Sequence, residues 1–182
     1  MIRIGLLGGE CTGKTTLAED VAQSLNGLVA PEYLRDFVRD FGRLPQVDDQ
    51  EGIFLTQQVT VHTVSRAAAH SQVPLVIADP LPLMTAVYSL VYFDSKELIT
   101  PGLSDAASYD LIVCCTRTDE WTPDGLQRDG LMRQEQAQAV IHDTVVPLLT
   151  ARGHAVIVVS GDRSERTAAV NAAIGDLDIT SH

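Results

Sequence analysis

Five short apolar runs recur along the chain, at residues 2–7, 28–30, 75–78, 111–115 and 155–159, and between them the apolar positions shift to helical spacing. Runs of that length bounded by polar or turn residues read as strands, and their alternation with helices marks a parallel sheet covered on both faces. Residues 16–25 carry Leu17, Val21 and Leu25 on one helical face and stop at Asn26-Gly27, a C-terminal signal. Residues 33–41 read as a second helix, ended by Gly42. Asp48 with Glu51 has capping-box spacing and opens a long helix to about Ser71; Asp162 with Glu165 repeats that signal before the last helix. Pro80 is read as the start of the helix after the third strand. Val140, Ile141, Thr144, Val145, Leu148 and Leu149 follow the spacing of a packed face, as do Val170, Ala173, Ile174 and Leu177. Residues 116–130, rich in Asp, Thr, Arg and Gly, are the least regular stretch, and a loop of that length in a compact domain is usually functional.

A chain of 182 residues, 45% hydrophobic, holds one well-buried core and is short for two ordinary domains, so residues 1–182 are expected to form a single α/β domain. The apolar runs are far shorter than a membrane span and Met1 leads directly into the first strand, which predicts a soluble, cytoplasmic protein with no membrane partner. A formal charge of −11 argues against a nucleic-acid partner, because that binding depends on clustered Lys and Arg, and favours a small-molecule substrate. Cys114 and Cys115 sit inside an apolar run and, with Cys11, form neither a disulfide framework nor a zinc pattern.

Residues 8–15 read G-G-E-C-T-G-K-T, a complete G-x-x-x-x-G-K-[ST] phosphate-binding loop between the first strand and the first helix. Gly8 and Gly13 permit turns that aim successive amides at phosphate oxygens, and the helix adds its positive end. Gly8, Glu10, Cys11, Thr12, Gly13, Lys14, Thr15 and Thr16 are therefore assigned to nucleotide binding. Within that set Lys14 reaches the outer phosphates and the Thr15 hydroxyl ligates Mg²⁺. The chain has only two lysines, Lys14 and Lys96, against eleven arginines, so a lysine at this position is conspicuous.

No N-K-x-D guanine motif is present, which argues against a GTPase. The run Leu75-Val76-Ile77-Ala78 ends in Asp79-Pro80 rather than in an acidic pair able to activate water, which argues against a hydrolytic motor. A small-molecule kinase remains, using ATP and Mg²⁺. Its further parts have candidates: Asp79 beside Mg²⁺, Glu32 or Asp79 to align the acceptor hydroxyl, and Arg35 to contact substrate or phosphate. Arg128 and Arg133 are candidate lid arginines in a lid-like segment at about 116–133, and Arg163 lies where the backbone after the last strand could face adenine. Each has a plainer structural reading: a cap for Asp79, a helix-start charge for Glu32, solvated charges for the arginines, and a turn with a helix cap around Arg163.

These residues, in order, resemble the ribosylnicotinamide kinase domain of the NadR-like bacterial NAD-biosynthesis proteins and related stand-alone members. The likeness runs from G-G-E-C-T-G-K-T-T-L-A through P-E-Y-L-R-D, Gln57-Gln58, V-I-A-D, Thr85 and Y-D-L to W-T-P-D-G-L. It implies a three-layer phosphate-loop kinase fold with a five-stranded parallel sheet in order 2-3-1-4-5. The implied reaction is ATP-dependent phosphorylation of nicotinamide riboside or a similar nucleoside. It also strengthens Glu32 and Arg35 as substrate-side residues, Asp79 as the magnesium-side carboxylate and the stretch after Trp121 as the lid, so that Pro31, Glu32, Tyr33, Arg35, Asp79 and Trp121 are the candidate substrate-binding residues. Pro31 replaces an aromatic residue of the family pattern, and Asp79-Pro80-Leu81 replaces Asp-Thr-Asp. Those two departures motivate an alternative, an ATP-binding sensor without efficient transfer.

Overall fold

The computed structural model describes residues 1–117 and 131–180. Its centre is strand β1 (Ile2–Leu7), flanked by β3 (Leu75–Ala78) and β4 (Leu111–Cys115), with β2 (Leu28–Ala30) and β5 (Val156–Val159) at the edges. All pairings are parallel and the order is β2-β3-β1-β4-β5, as expected for a phosphate-loop kinase fold. The register sets Gly5 beside Ala78 and Leu7 beside Cys114, so β1, β3 and β4 deliver their carboxyl ends to one edge.

The two sheet faces bury separate apolar layers. One holds Ile4, Leu6, Ile77 and Val113 against Leu17 and Val21 of α1 (Lys14–Leu25) and Val170 and Ile174 of α8 (Arg163–Thr180). The other packs Leu7, Ala78 and Ile112 against α3 (Gln50–His70), α4 (Leu83–Phe93), α6 (Leu131–Val140) and α7 (Val146–Ala151). Every residue of β3 and β4 is buried, which is why those runs contain no charged position. No described helix is long and apolar enough to cross a membrane.

Most local signals hold. Helix α1 ends on Asn26 in the left-handed region, and α2 (Tyr33–Phe41) ends on Gly42 in the same conformation. The Asp162–Glu165 box forms in both directions, each side chain accepting the other residue's amide at 2.9 Å. The box expected at Asp48–Glu51 lies elsewhere: Gln46 and Asp49 form it around a 3-10 turn, Val47–Asp49, and α3 follows at Gln50. Asp49 also takes a bidentate bond from Arg43, at 2.6 and 2.9 Å, which fixes the link between α2 and α3. The packed face at 140–149 is present, with Ile141, Val145 and Leu149 fully buried, but Ile141–Val145 winds as a π-turn between α6 and α7.

The helix expected from Pro80 begins at Leu83, after a cis Asp79-Pro80 bond and Pro82 at the cap. Helix α5 (Ile99–Asp105) forms although it contains Pro101-Gly102, a pair that ordinarily marks a turn. Gly102 lies at a close contact: a Cβ would stand 2.6 Å from Cδ1 and 3.2 Å from Cα of Leu83, so a side chain there would force Leu83 to shift.

Candidate phosphate-loop site

Strand β1 ends at Leu7 and the loop runs to Lys14, the first residue of α1. Gly8 has φ 153° and a Cβ there would meet Thr12 Oγ1 at 2.5 Å, so the first turn admits only glycine. The buried Thr12 hydroxyl donates to the Gly9 carbonyl at 2.8 Å and braces the turn from within. Lys14 Nζ donates to the Gly8 and Gly9 carbonyls at 2.8 and 2.7 Å, which holds the ammonium over the loop.

Three long-range side chains fix the loop from outside. Gln138 of α6 accepts the Gly9 amide at 2.7 Å and donates to the Cys115 carbonyl at 2.8 Å, joining the loop to β4. Gln134, one turn earlier, donates to the Glu10 carbonyl. Arg166 of α8 is 5% exposed and donates to the carbonyls of Thr12 (2.9 Å), Gly161 (2.8 Å), Thr116 (3.2 Å) and Arg117 (3.3 Å). Its guanidinium thus connects the phosphate loop to the ends of β4 and β5. Cys115 beneath the loop is pushed up to about 12 by burial, and Cys114 to about 11, so both remain neutral thiols.

Because β3 neighbours β1, Asp79 at the end of β3 stands beside the start of α1. It is 4% exposed. Burial pushes its carboxyl above the usual range; Lys14 and the Thr15 hydroxyl pull it back, while the charge on Glu32 adds to the rise. Arg35 donates to Glu32 Oε2 at 3.1 Å and approaches Thr15 Oγ1 at 3.4 Å, bringing the turn after β2 over the start of α1. Among the described residues no group of three or more His, Cys, Asp or Glu is placed to hold a metal. Thr15 and Asp79 offer a hydroxyl and one carboxylate beside the loop, a donor set suited to Mg²⁺ that keeps most of its shell on phosphate and water.

Two cavities meet at this edge of the sheet. The first, about 240 Å³, is lined by the loop from Glu10 to Thr16 together with Glu32 and Arg35. The second, about 230 Å³, is mainly apolar, with Val38, Leu44, Ile53, Met84 and Phe93 in its wall. Glu10, Glu32, Leu34 and Tyr88 line both. Among the described residues lining the second chamber, Glu10 and Glu32 carry charge and no Lys or Arg occurs.

The sequence-assigned residues therefore divide. Glu10, Cys11, Thr12, Gly13, Lys14, Thr15 and Thr16 line the first cavity with Glu32 and Arg35, while Gly8 forms the turn beneath. Pro31 is exposed, and Pro31 and Tyr33 enter through their backbones, which Gln57 holds. Arg133 is engaged elsewhere: it donates to the Val91 carbonyl at 2.7 Å and lies over the Tyr92 ring, 5.2 Å from its centroid. Arg163 is drawn to α1 by a bidentate ion pair with Asp20, so it tethers two helices instead of reaching the loop. Trp121, Arg128 and most of the lid-like segment at 116–133 lie outside the described residues. Leu81, at the second departure from the family pattern, is fully buried against Gly5.

A family model described as an AAA domain matches residues 3–166. Among solved structures, the NadR protein in complex with NR shares 23% identity at a TM-score of 0.69, over 94% of this chain and 50% of that one. The NadR protein in complex with NAD and AMP-PNP shares 20% at 0.67, over 94% and 48%. Thymidylate kinase from Ehrlichia chaffeensis shares 14% at 0.66, over 95% and 98%. The chain spans about half the length of the NadR chains it matches, and at these identities the likeness is one of fold.

Proposed function

The chain belongs to the AAA domain family of phosphate-loop proteins, and from that premise we propose an ATP-dependent kinase that transfers the γ-phosphoryl group to a hydroxyl of nicotinamide riboside or a similar nucleoside. The observation that carries this reading is the junction of the two cavities: the phosphate cradle opens through Glu10, Glu32, Leu34 and Tyr88 into an apolar chamber. Tyr88, Tyr92 and Phe93 in that wall suit a planar ring. Two carboxylates with no Lys or Arg among the described lining residues favour an uncharged or cationic acceptor and disfavour one that already bears phosphate or carboxylate. The NR bound by the NadR protein named above fits that description.

In this reading the loop amides and Lys14 hold the triphosphate, and the Lys14 ammonium moves from the Gly8 and Gly9 carbonyls to phosphoryl oxygens. Magnesium, when bound, offsets charge on the phosphates, and Thr15 and Asp79 are the residues that would hold it. Glu32 lines both cavities and is oriented by Arg35, so it takes the acceptor's proton, whereas the buried Asp79 serves the metal side. Apolar walls keep water from competing with the acceptor hydroxyl.

Incubation with Mg·ATP and a panel of nucleosides, nicotinamide riboside first, tests the proposal by mass spectrometry of the products. An acceptor-dependent gain of one phosphate is the expected result. Tight ATP binding with no product from any acceptor would sink the kinase and leave the sensor.

A further inference from the structure

Glu32 stands at the N-cap of α2 and makes no capping bond to its own helix. The first free amide of that helix, on Tyr33, is satisfied from elsewhere: it donates to Oε1 of Gln57 at 2.8 Å, across 24 positions of chain. The same carboxamide donates through Nε2 to the Pro31 carbonyl at 3.2 Å and to the Pro80 carbonyl at 3.1 Å. Gln57 is 3% exposed and lies within the 21-residue helix α3. One planar group therefore grips the backbone on both sides of Glu32 and the residue after Asp79.

We propose that Gln57 is a positioning residue: its carboxamide fixes the Glu32-bearing turn against the Asp79-Pro80 junction and so sets how the two carboxylates meet the phosphate cradle. For phosphoryl transfer this rests on the kinase reading above; for the metal side it does not. The chemistry selects glutamine. The site needs one acceptor and two donors on one rigid group, which a carboxylate cannot supply for want of donors and an ammonium cannot supply for want of an acceptor. Because Gln57 takes over the capping of α2, the Glu32 carboxylate is released from its own helix and points to the cavities, where Arg35 meets it. The next residue, Gln58, donates to Asp105 Oδ1 at 2.9 Å, so this turn of α3 is anchored on two sides and makes a stiff base. Gln57 touches none of the loop amides nor Lys14, which separates its effect from nucleotide binding itself.

Two variants test this. Gln57→Met keeps the volume without polar atoms; Gln57→Glu keeps the acceptor for the Tyr33 amide and removes both donors. With folding verified by circular dichroism, kcat for transfer is expected to fall about 10- to 100-fold, as for misplaced reacting groups. ATP affinity in EDTA, by calorimetry, should stay as in the wild type, while the tightening produced by Mg²⁺ should shrink because the Pro80 carbonyl, next to Asp79, loses its donor. A purely structural role would weaken both affinities together and leave their ratio unchanged, and that result overturns the proposal. Folded variants with wild-type kcat and wild-type magnesium tightening overturn it as well. A wild type that yields no product sinks the kinase reading, and Gln57 is then judged on magnesium tightening alone. If the wild type shows no such tightening either, the positioning role falls too.

Discussion

Arg166 donates from Nη1 to the Thr12 carbonyl at 2.9 Å, a bond between α8 and the phosphate loop that closes 154 positions of chain. With its bonds to Gly161, Thr116 and Arg117, it makes the loop's shape depend on the ends of β4 and β5. The guanidinium is buried, and charged hydrogen bonds left unmade in such a setting cost more than neutral ones. Arg166→Ala is therefore expected to lower stability by about 2–4 kcal/mol and to weaken ATP binding. Arg166→Lys should recover only part of either, since one ammonium cannot span four carbonyls set around a planar fork. Chemical denaturation and calorimetry measure the two effects.

Lys14 contributes nothing to the core, and its bonds to Gly8 and Gly9 lie within the loop itself. Lys14→Ala should unfold at nearly the wild-type temperature while turnover drops by about 100-fold or more, the scale seen when a charge-stabilising donor is lost. Retained turnover in this variant would remove the loop from the chemistry.

The strands, the phosphate loop and the carboxylate at the end of β3 were legible because each is local: an apolar run, a spaced motif, a charge after a buried strand. The braces were not. Gln57, Gln134, Gln138 and Arg166 act across 23 to 154 positions, and an uncharged amide on a helix has no signature in spacing; Gln57 stood out only through the family likeness, which gave it no role. The arginine chosen after β5 shows the difference most clearly. Arg163 opens α8 on the side facing Asp20, whereas Arg166, one turn later, points inward to the loop. A cap signal places the start of the helix but not which of two arginines faces the sheet.

It follows that Arg163→Ala should leave ATP affinity unchanged. The pair with Asp20 is solvent-exposed on the arginine side, so the loss should appear only as a small, salt-sensitive change in thermal stability. A marked fall in ATP affinity would restore Arg163 to the nucleotide site.

Asp79 links stability to pH with a definite sign. Its folded pKa is raised by burial above the unfolded value, so the folded state holds the proton more tightly. Stability from this group is full below the ordinary carboxylate pKa of about 4 and is lost as pH rises through the raised folded value. Asp79→Asn removes the buried charge. The ligand-free variant should therefore melt higher than the wild type at neutral pH, and the difference should vanish in acid. Activity should move the other way, because an amide is a poorer partner for magnesium beside Thr15. Melting curves across pH, paired with turnover, check both halves.

The acceptor chamber makes the last prediction, on charge. Glu10 and Glu32 line it and no Lys or Arg does among the described residues, while Arg35 pairs with Glu32 from the first cavity, so an acceptor bearing a phosphate meets like charge that is only partly offset. At a separation of about 7 Å and an effective dielectric near 20, one such pair is worth about 2 kcal/mol, or roughly thirtyfold in kcat/KM. A nucleoside should therefore be used in preference to its own monophosphate by at least that factor. Raising the salt concentration should narrow the gap only slightly, because the chamber is walled by apolar side chains that limit screening. Glu32→Gln separates charge from catalysis: with Glu32 in its proposed role of proton acceptor, it should lower kcat for the nucleoside yet improve relative binding of the monophosphate. Competition experiments with both acceptors read the ratio directly. A wild type that favours the monophosphate would mean that the chamber does not hold the acceptor.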